Sequence, residues 1–153
     1  MLAKEIMKSE VITLSPESTI TEIARLMVEN EISGLPVVDE ENRLLGVVSE
    51  RDLMYKDVKL EEPSVWDLCL WSALGSHEIY DYKDSFRKYR AKTAGEIMTS
   101  PAVAVDENDD VSKAGNLMFS RHIKRIFVTR NEKLIGVISR SAFVKMLLDA
   151  ENE

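Results

Sequence analysis

Ala3-Lys-Glu-Ile-Met7 comes back as Ala94-Gly-Glu-Ile-Met98, and Leu44-Leu-Gly-Val-Val-Ser49 comes back as Leu134-Ile-Gly-Val-Ile-Ser139. One pattern is therefore written twice, from Ala3 to Met54 and from Ala94 to Val144. An internal repeat sets architecture before any single residue does. Two copies of a unit usually pack about a pseudo-twofold axis, so crevices between them come as a related pair. A difference between the copies then points to the crevice in use, and the sharpest one is Asp52 against Ala142.

Working outward, Val11 to Leu14 reads as a short strand, and Ser15-Pro16-Glu17-Ser18 as a turn. Ile20, Ile23, Ala24 and Met27 follow at helical spacing, with Thr19 and Glu22 set as a capping box. Leu35 to Val38 and Leu44 to Val48 read as strands joined by a turn at Asp39 to Arg43, and Glu50 to Lys56 as a helix. The second copy runs in parallel: strand Val103 to Val105, a helix through Val111, Ala114, Gly115 and Met118, strands Ile126 to Thr129 and Leu134 to Ile138, and helix Arg140 to Asp149. Each copy is β-α-β-β-α, which makes the fold class α/β in the broad sense (α+β). Neither copy has enough apolar surface to stand comfortably alone, so a shared interior is expected. Gly115 opposite Ala24 reads as close helix packing.

The chain thus divides into repeat 1 (1–56), an insert (57–92) and repeat 2 (93–153), together one module. The insert carries Trp66, Trp71 and Tyr80, and a helically spaced stripe of Tyr82, Phe86 and Tyr89, which no flexible tether would contain. It reads as one or two helices packed on the module or on a dimer mate, or else as a surface for a partner.

Among 153 residues, 44% are hydrophobic and the formal charge is −7, so one compact domain or two small units are expected and a polyanion is a poor main partner. A lone cysteine, Cys69, excludes an internal disulfide and a multi-cysteine zinc site; between Leu68 and Leu70 it reads as a small packing group. No start resembling a cleavable signal is present, and the apolar runs are broken by charge within a few residues so that none can span a bilayer; a soluble, cytoplasmic protein without membrane contact is expected.

The pattern resembles the cystathionine-β-synthase (CBS) domain, as the tandem pair called a Bateman module. The likeness is carried by Glu-Ile-Met near the start of each copy and by the middle segments Ile32-Ser-Gly-Leu-Pro-Val-Val38 and Ile123-Lys-Arg-Ile-Phe-Val128. Gly46-Val-Val-Ser-Glu-Arg-Asp52 and Gly136-Val-Ile-Ser139 complete it. The resemblance implies two β-α-β-β-α repeats, two adenosine-ligand clefts between them, frequent assembly into a flat homodimer, and a regulatory role without catalysis. The effector would be a separate, unidentified protein.

An adenosine ligand needs an apolar slot for its base, an acceptor for the ribose diol, and cationic or N–H-rich ground for phosphate. Asp52 offers two carboxylate oxygens to two vicinal hydroxyls. Ser49 and the amides that open the following helix suit a phosphate oxygen. Ser-x-x-Asp is equally an ordinary helix cap that needs no ligand. Ala142 removes the diol acceptor from the second copy; a hydrogen bond to a charged acceptor is worth about 1.5–3 kcal/mol, so that cleft is expected to be weak or empty for nucleosides. By family geometry the phosphate meets a basic pair before the middle strand of the opposite repeat, which is Lys124-Arg125 here, with Arg121 and His122 beside it. The same cluster is also readable as a solvated charged turn. Ile12 and Thr13, with Val11, and the Leu35-Pro36-Val37 stretch are the candidate walls of the base slot.

His77 and His122 stand apart from any nucleophile or paired-acid motif, and no phosphate-binding glycine loop occurs, so catalytic residues and metal ligands are assigned to none. His77 reads as a surface or helix-end residue. The expected function is a regulatory module that senses AMP, ADP or ATP; S-adenosylmethionine is disfavoured because its sulfonium would meet Lys124 and Arg125. The alternative is a constitutive dimeric interaction scaffold with degenerate sites.

Overall fold

The computed structural model describes residues 1–57, 63–75 and 77–150, without the side chains of 77–80, 147 and 150; the readings of the His77 and Tyr80 side chains fall outside the described residues. The first repeat runs α1 (Ala3–Ile6), α2 (Ile20–Glu29), β1 (Gly34–Val38), β2 (Leu44–Ser49) and α3 (Glu50–Met54). The insert forms α4 (Val65–Leu74) and α5 (His77–Arg90). The second repeat runs α6 (Ala94–Ile97), β3 (Ala104–Asp106), α7 (Val111–Ser120), β4 (Arg125–Arg130), β5 (Lys133–Ser139) and α8 (Arg140–Ala150). The fold is mixed α and β, as the repeated pattern requires.

Local chemistry accounts for most boundaries. Glu22 N donates to Thr19 Oγ1 at 3.3 Å while Thr19 N donates to Glu22 Oε2 at 2.8 Å, so the expected capping box opens α2. Helices α2 and α7 are followed at matching positions by Glu31 and His122, with φ of 52° and 53°. In the second repeat, β3 pairs in parallel with β4, and β4 pairs antiparallel with β5. The strand expected at Val11 to Leu14 is absent: among the described residues only Leu14 bridges Val37, in parallel, with Leu14 N donating to Pro36 O at 2.8 Å. A strand needs a continuous partner edge as well as β-branched residues, and here one residue finds one.

The chain forms two compact units, and they are not the two repeats. One comprises Met1–Thr13, Val38–Gly46 and Ser100–Glu153; the other comprises Leu14–Val37 and Val47–Thr99. Each has its own buried apolar cluster, where a single shared interior was expected. In the first unit Ala3, Val105, Ala114, Met118, Ile126, Val128 and Ile138 are buried together. In the second, Leu14, Ile23, Met27, Leu35, Val37 and Val48 are joined by Ala91, Ala94 and Ile97.

The leading segments are exchanged between repeats. Ala3 N and Lys4 N donate to Asp109 O at 2.8 Å and Glu107 O at 3.1 Å, docking α1 on the turn that precedes α7. Ala94 N and Gly95 N donate to Ser18 O and Pro16 O, each at 2.8 Å, docking α6 on the turn that precedes α2. The Glu-Ile-Met motif of one copy therefore completes the core containing the other copy's helix. Glycine serves this docking: a Cβ on Gly136 would lie 2.8 Å from Met7 Cγ. Gly136→Ala is expected to destabilise the first unit by about 1–3 kcal/mol through overpacking, read by chemical denaturation.

The described part of the insert is helical, as its stripe requires, but its described aromatic residues do not bury themselves in a core. Tyr82 and Phe86 stack at 6.1 Å between ring centroids, and Trp71 meets Tyr82 at 6.4 Å. Trp66 is 84% exposed and Cys69 is exposed, so Cys69 is not the packing group its neighbours suggested. What fastens the C-terminal end of α5 is cationic. Lys56 Nζ donates to Tyr89 O at 2.7 Å and to Ala91 O, and Arg87 Nη1 donates to Glu96 O at 2.5 Å. Lysine on the last carbonyls of a helix meets both their open acceptors and the negative end of the dipole. No described helix is long and apolar enough to cross a membrane.

Candidate functional site

The β2–α3 junction carries the residues singled out in the sequence. Ser49 ends β2 in extended conformation and caps α3: Asp52 N donates to Ser49 Oγ at 3.4 Å, and Ser49 N and Oγ donate to Asp52 Oδ2 at 2.8 and 3.1 Å. Glu50 N donates to Ser33 O at 3.0 Å, tying the junction to the residue before β1. The capping arrangement is thus present, and it consumes one oxygen of the carboxylate. The other oxygen, Oδ1, accepts from Lys88 Nζ of the insert.

Asp52 is 4% exposed and Lys88 6%, so both charges have left water and depend on each other. Lys88 Nζ donates as well to Thr99 Oγ1 at 3.1 Å, stands 3.8 Å from Asp84 Oδ2, and lies 5.7 Å from the centre of the Tyr55 ring. Thr99 is fixed in turn by paired main-chain bonds with Val47 at 2.9 and 3.0 Å. Lys88 and Thr99 were missed in the sequence. No local spacing marks a lysine that reaches Asp52 from the last turn of a charged helix. Thr99 carried a faint signal, since it takes the place of Lys8 in the other copy, whose main chain pairs with Val137 as Thr99 pairs with Val47.

The same junction in the second copy is built differently. Arg140 N donates to Lys124 O at 3.3 Å, the counterpart of the Glu50–Ser33 bond. Ser139 Oγ, however, pairs with Ser141 Oγ at 2.6 Å, and Ala142 packs against the apolar cluster. Hydrocarbon replaces the acceptor, as Ala142 implied.

The remaining candidates are divided between the two units. In the first unit Lys124 is exposed, Arg125 is half-buried opposite Ser139 in the β4–β5 register, and His122 is exposed just past the end of α7. Ile12 and Thr13, also in that unit, are exposed and belong to no strand. In the second unit Pro36 is buried in β1 and Ser49 and Asp52 adjoin as described. Carboxyls held below their usual range sit at turns and caps: Asp67 by the Ser64 hydroxyl at 2.6 Å, and Glu107 by the Arg130 guanidinium at 2.5 and 2.6 Å.

The family model of the CBS domain matches residues 3–59 and again residues 94–149. An uncharacterized protein of Methanocaldococcus jannaschii, MJ1426, is 26% identical over 97% of this chain and 92% of its own. The chloroplastic CBS domain-containing protein CBSX2 of Arabidopsis thaliana is 27% identical over 92% of this chain, which spans 60% of CBSX2. A crystal structure of CBSX2 in complex with AMP is 25% identical, has a TM-score of 0.78 and covers 97% of each chain. The CBS domain pair of protein MJ0100, solved with 5-methylthioadenosine and S-adenosylmethionine, shares the fold at a TM-score of 0.67 and 20% identity over 98% of each chain. With one domain model fitting both copies and a tandem arrangement superposing along nearly the whole length, the chain belongs to the CBS domain family, as a CBS pair.

Proposed function

We propose that this CBS pair is a regulatory module that binds an adenine nucleotide, AMP, ADP or ATP, and reports its occupancy to a separate partner protein. The observation that carries the reading is the carboxylate of Asp52, set by Ser49 at the start of α3, where the other copy has Ala142. An ionised carboxylate at a fixed strand-to-helix junction can accept from a ribose diol. The likeness to CBSX2, solved with AMP, supports adenosine as the common part of the ligand. No chemical step is assigned to any residue, and a homodimer is the proposed assembly.

Calorimetric titration with AMP, ADP, ATP and S-adenosylmethionine tests this. AMP is expected to bind, and Asp52→Asn to weaken it about tenfold or more, the effect of losing one charged hydrogen bond. Lys124→Ala with Arg125→Ala is expected to weaken AMP while leaving adenosine unchanged, because the basic pair is assigned to phosphate. Absence of heat and of thermal shift with every ligand at millimolar concentration sinks the proposal.

A specific observation favours the scaffold as second reading. Val65, Trp66, Leu70 and Leu74 of α4 are 56–84% exposed, an apolar surface of the kind that marks interaction sites. A scaffold would keep its partner on Asp52→Asn and lose it on Trp66→Ala.

A further inference from the structure

We propose that Lys88 is a latch on the ribose site: the insert-borne ammonium occupies the carboxylate that a nucleoside diol must reach, so ligand entry and the Asp52–Lys88 pair exclude one another. This rests on the reading of Asp52 given above and adds to it the regulation of that site by the insert.

Both oxygens of Asp52 are committed, Oδ2 to Ser49 and Oδ1 to Lys88. A carboxylate that receives two vicinal hydroxyls must face them, and Asp52 is 4% exposed behind Lys88. Ser49 belongs to the same turn and its bonds hold the cap of α3, so the partner that can leave without unwinding a helix is Lys88. The ammonium is not a loose surface charge that a ligand could brush aside. It is 6% exposed and surrounded by Asp52, Asp84, Thr99 and the Tyr55 ring. The helix bearing it is held at its end by Lys56 and Arg87 on main-chain carbonyls. Release of Lys88 therefore acts on α5, and through the Trp71–Tyr82 contact on α4. Removing the competitor raises apparent affinity by the inverse of the fraction of molecules in which it leaves the site open, so a tenfold gain corresponds to roughly one open molecule in ten.

The first measurement uses the unmodified chain. Acetylation of lysines by acetic anhydride is followed by mass spectrometry with and without saturating AMP, with exposed Lys145 as internal reference. Lys88 is expected to be protected alone and to react about tenfold faster with AMP bound, while Lys145 is unchanged. Protection of Lys88 at demonstrated AMP saturation overturns the latch and leaves the nucleotide reading intact. The second measurement is AMP titration of Lys88→Gln, expected to bind about tenfold tighter than the unmodified chain, or about 1.4 kcal/mol. Equal or weaker binding overturns the latch, since it makes the ammonium neutral or helpful to the ligand. Binding by Lys88→Gln alone is the latch at full strength; no binding by either chain removes the nucleotide reading and the latch with it.

Discussion

Lys88→Met should destabilise the second compact unit by about 3–5 kcal/mol, because it leaves the Asp52 carboxylate buried without its counter-charge. In a chain of this size that corresponds to a fall in Tm on the order of 10 °C. Much of the loss belongs to the orphaned charge, not to the worth of the pair, so Asp52→Asn combined with Lys88→Met should be more stable than Lys88→Met alone. Thermal denaturation of the four chains closes the cycle. A loss under about 1 kcal/mol in the single variant would show that water reaches Asp52 freely, the range of exposed pairs. AMP should restore more stability to Lys88→Met than to the unmodified chain, because stabilisation by a bound ligand grows with the logarithm of its affinity.

Ile126→Ala should cost about 2–5 kcal/mol, the range for emptying a fully buried aliphatic site. Ile126 is 0% exposed near the start of β4, among Val105, Val128 and Ile138. Chemical denaturation measures the total, and amide exchange should show protection lost in β3, β4 and β5. Leu35→Ala is the matched test in the other cluster, where Leu35 packs with Ile23, Val37 and Val48. Retention of native stability by either variant would contradict the burial seen at these positions.

The helices and strands that hold these clusters were legible because their information is local. Thr19 and Glu22 lie three residues apart and bond to each other, and the apolar stripe of α2 needs only its own spacing. Helices α1 and α6 were not legible, since four residues are too few for a period to show. The Val11–Leu14 strand failed for the opposite reason: β-branched composition was present and a partner edge was not. The insert was correctly read as helical, yet its attachment was misjudged. Aromatic spacing drew attention to Tyr82, Phe86 and Tyr89, whereas the contacts that fasten α5 come from Lys56, Arg87 and Lys88. Ser49 and Asp52 announced a cap and an acceptor together, and the cap is what the geometry displays. Nothing near Lys88 in the chain announced its partner, because a contact between residues 52 and 88 leaves no trace in the spacing of either.

The exchange of α1 and α6 bears on how such a chain arises. A solitary ancestral copy could not have closed its own core with its own leading segment if that segment had the reach seen here. It would have lent the segment to a twin and borrowed the twin's in return, the arrangement known as domain swapping. Within a single polypeptide that trade needs no second molecule, so closing the two cores does not depend on protein concentration. Each half carries a docking groove for the other's first turn, although the two differ at Asp52 and Ala142.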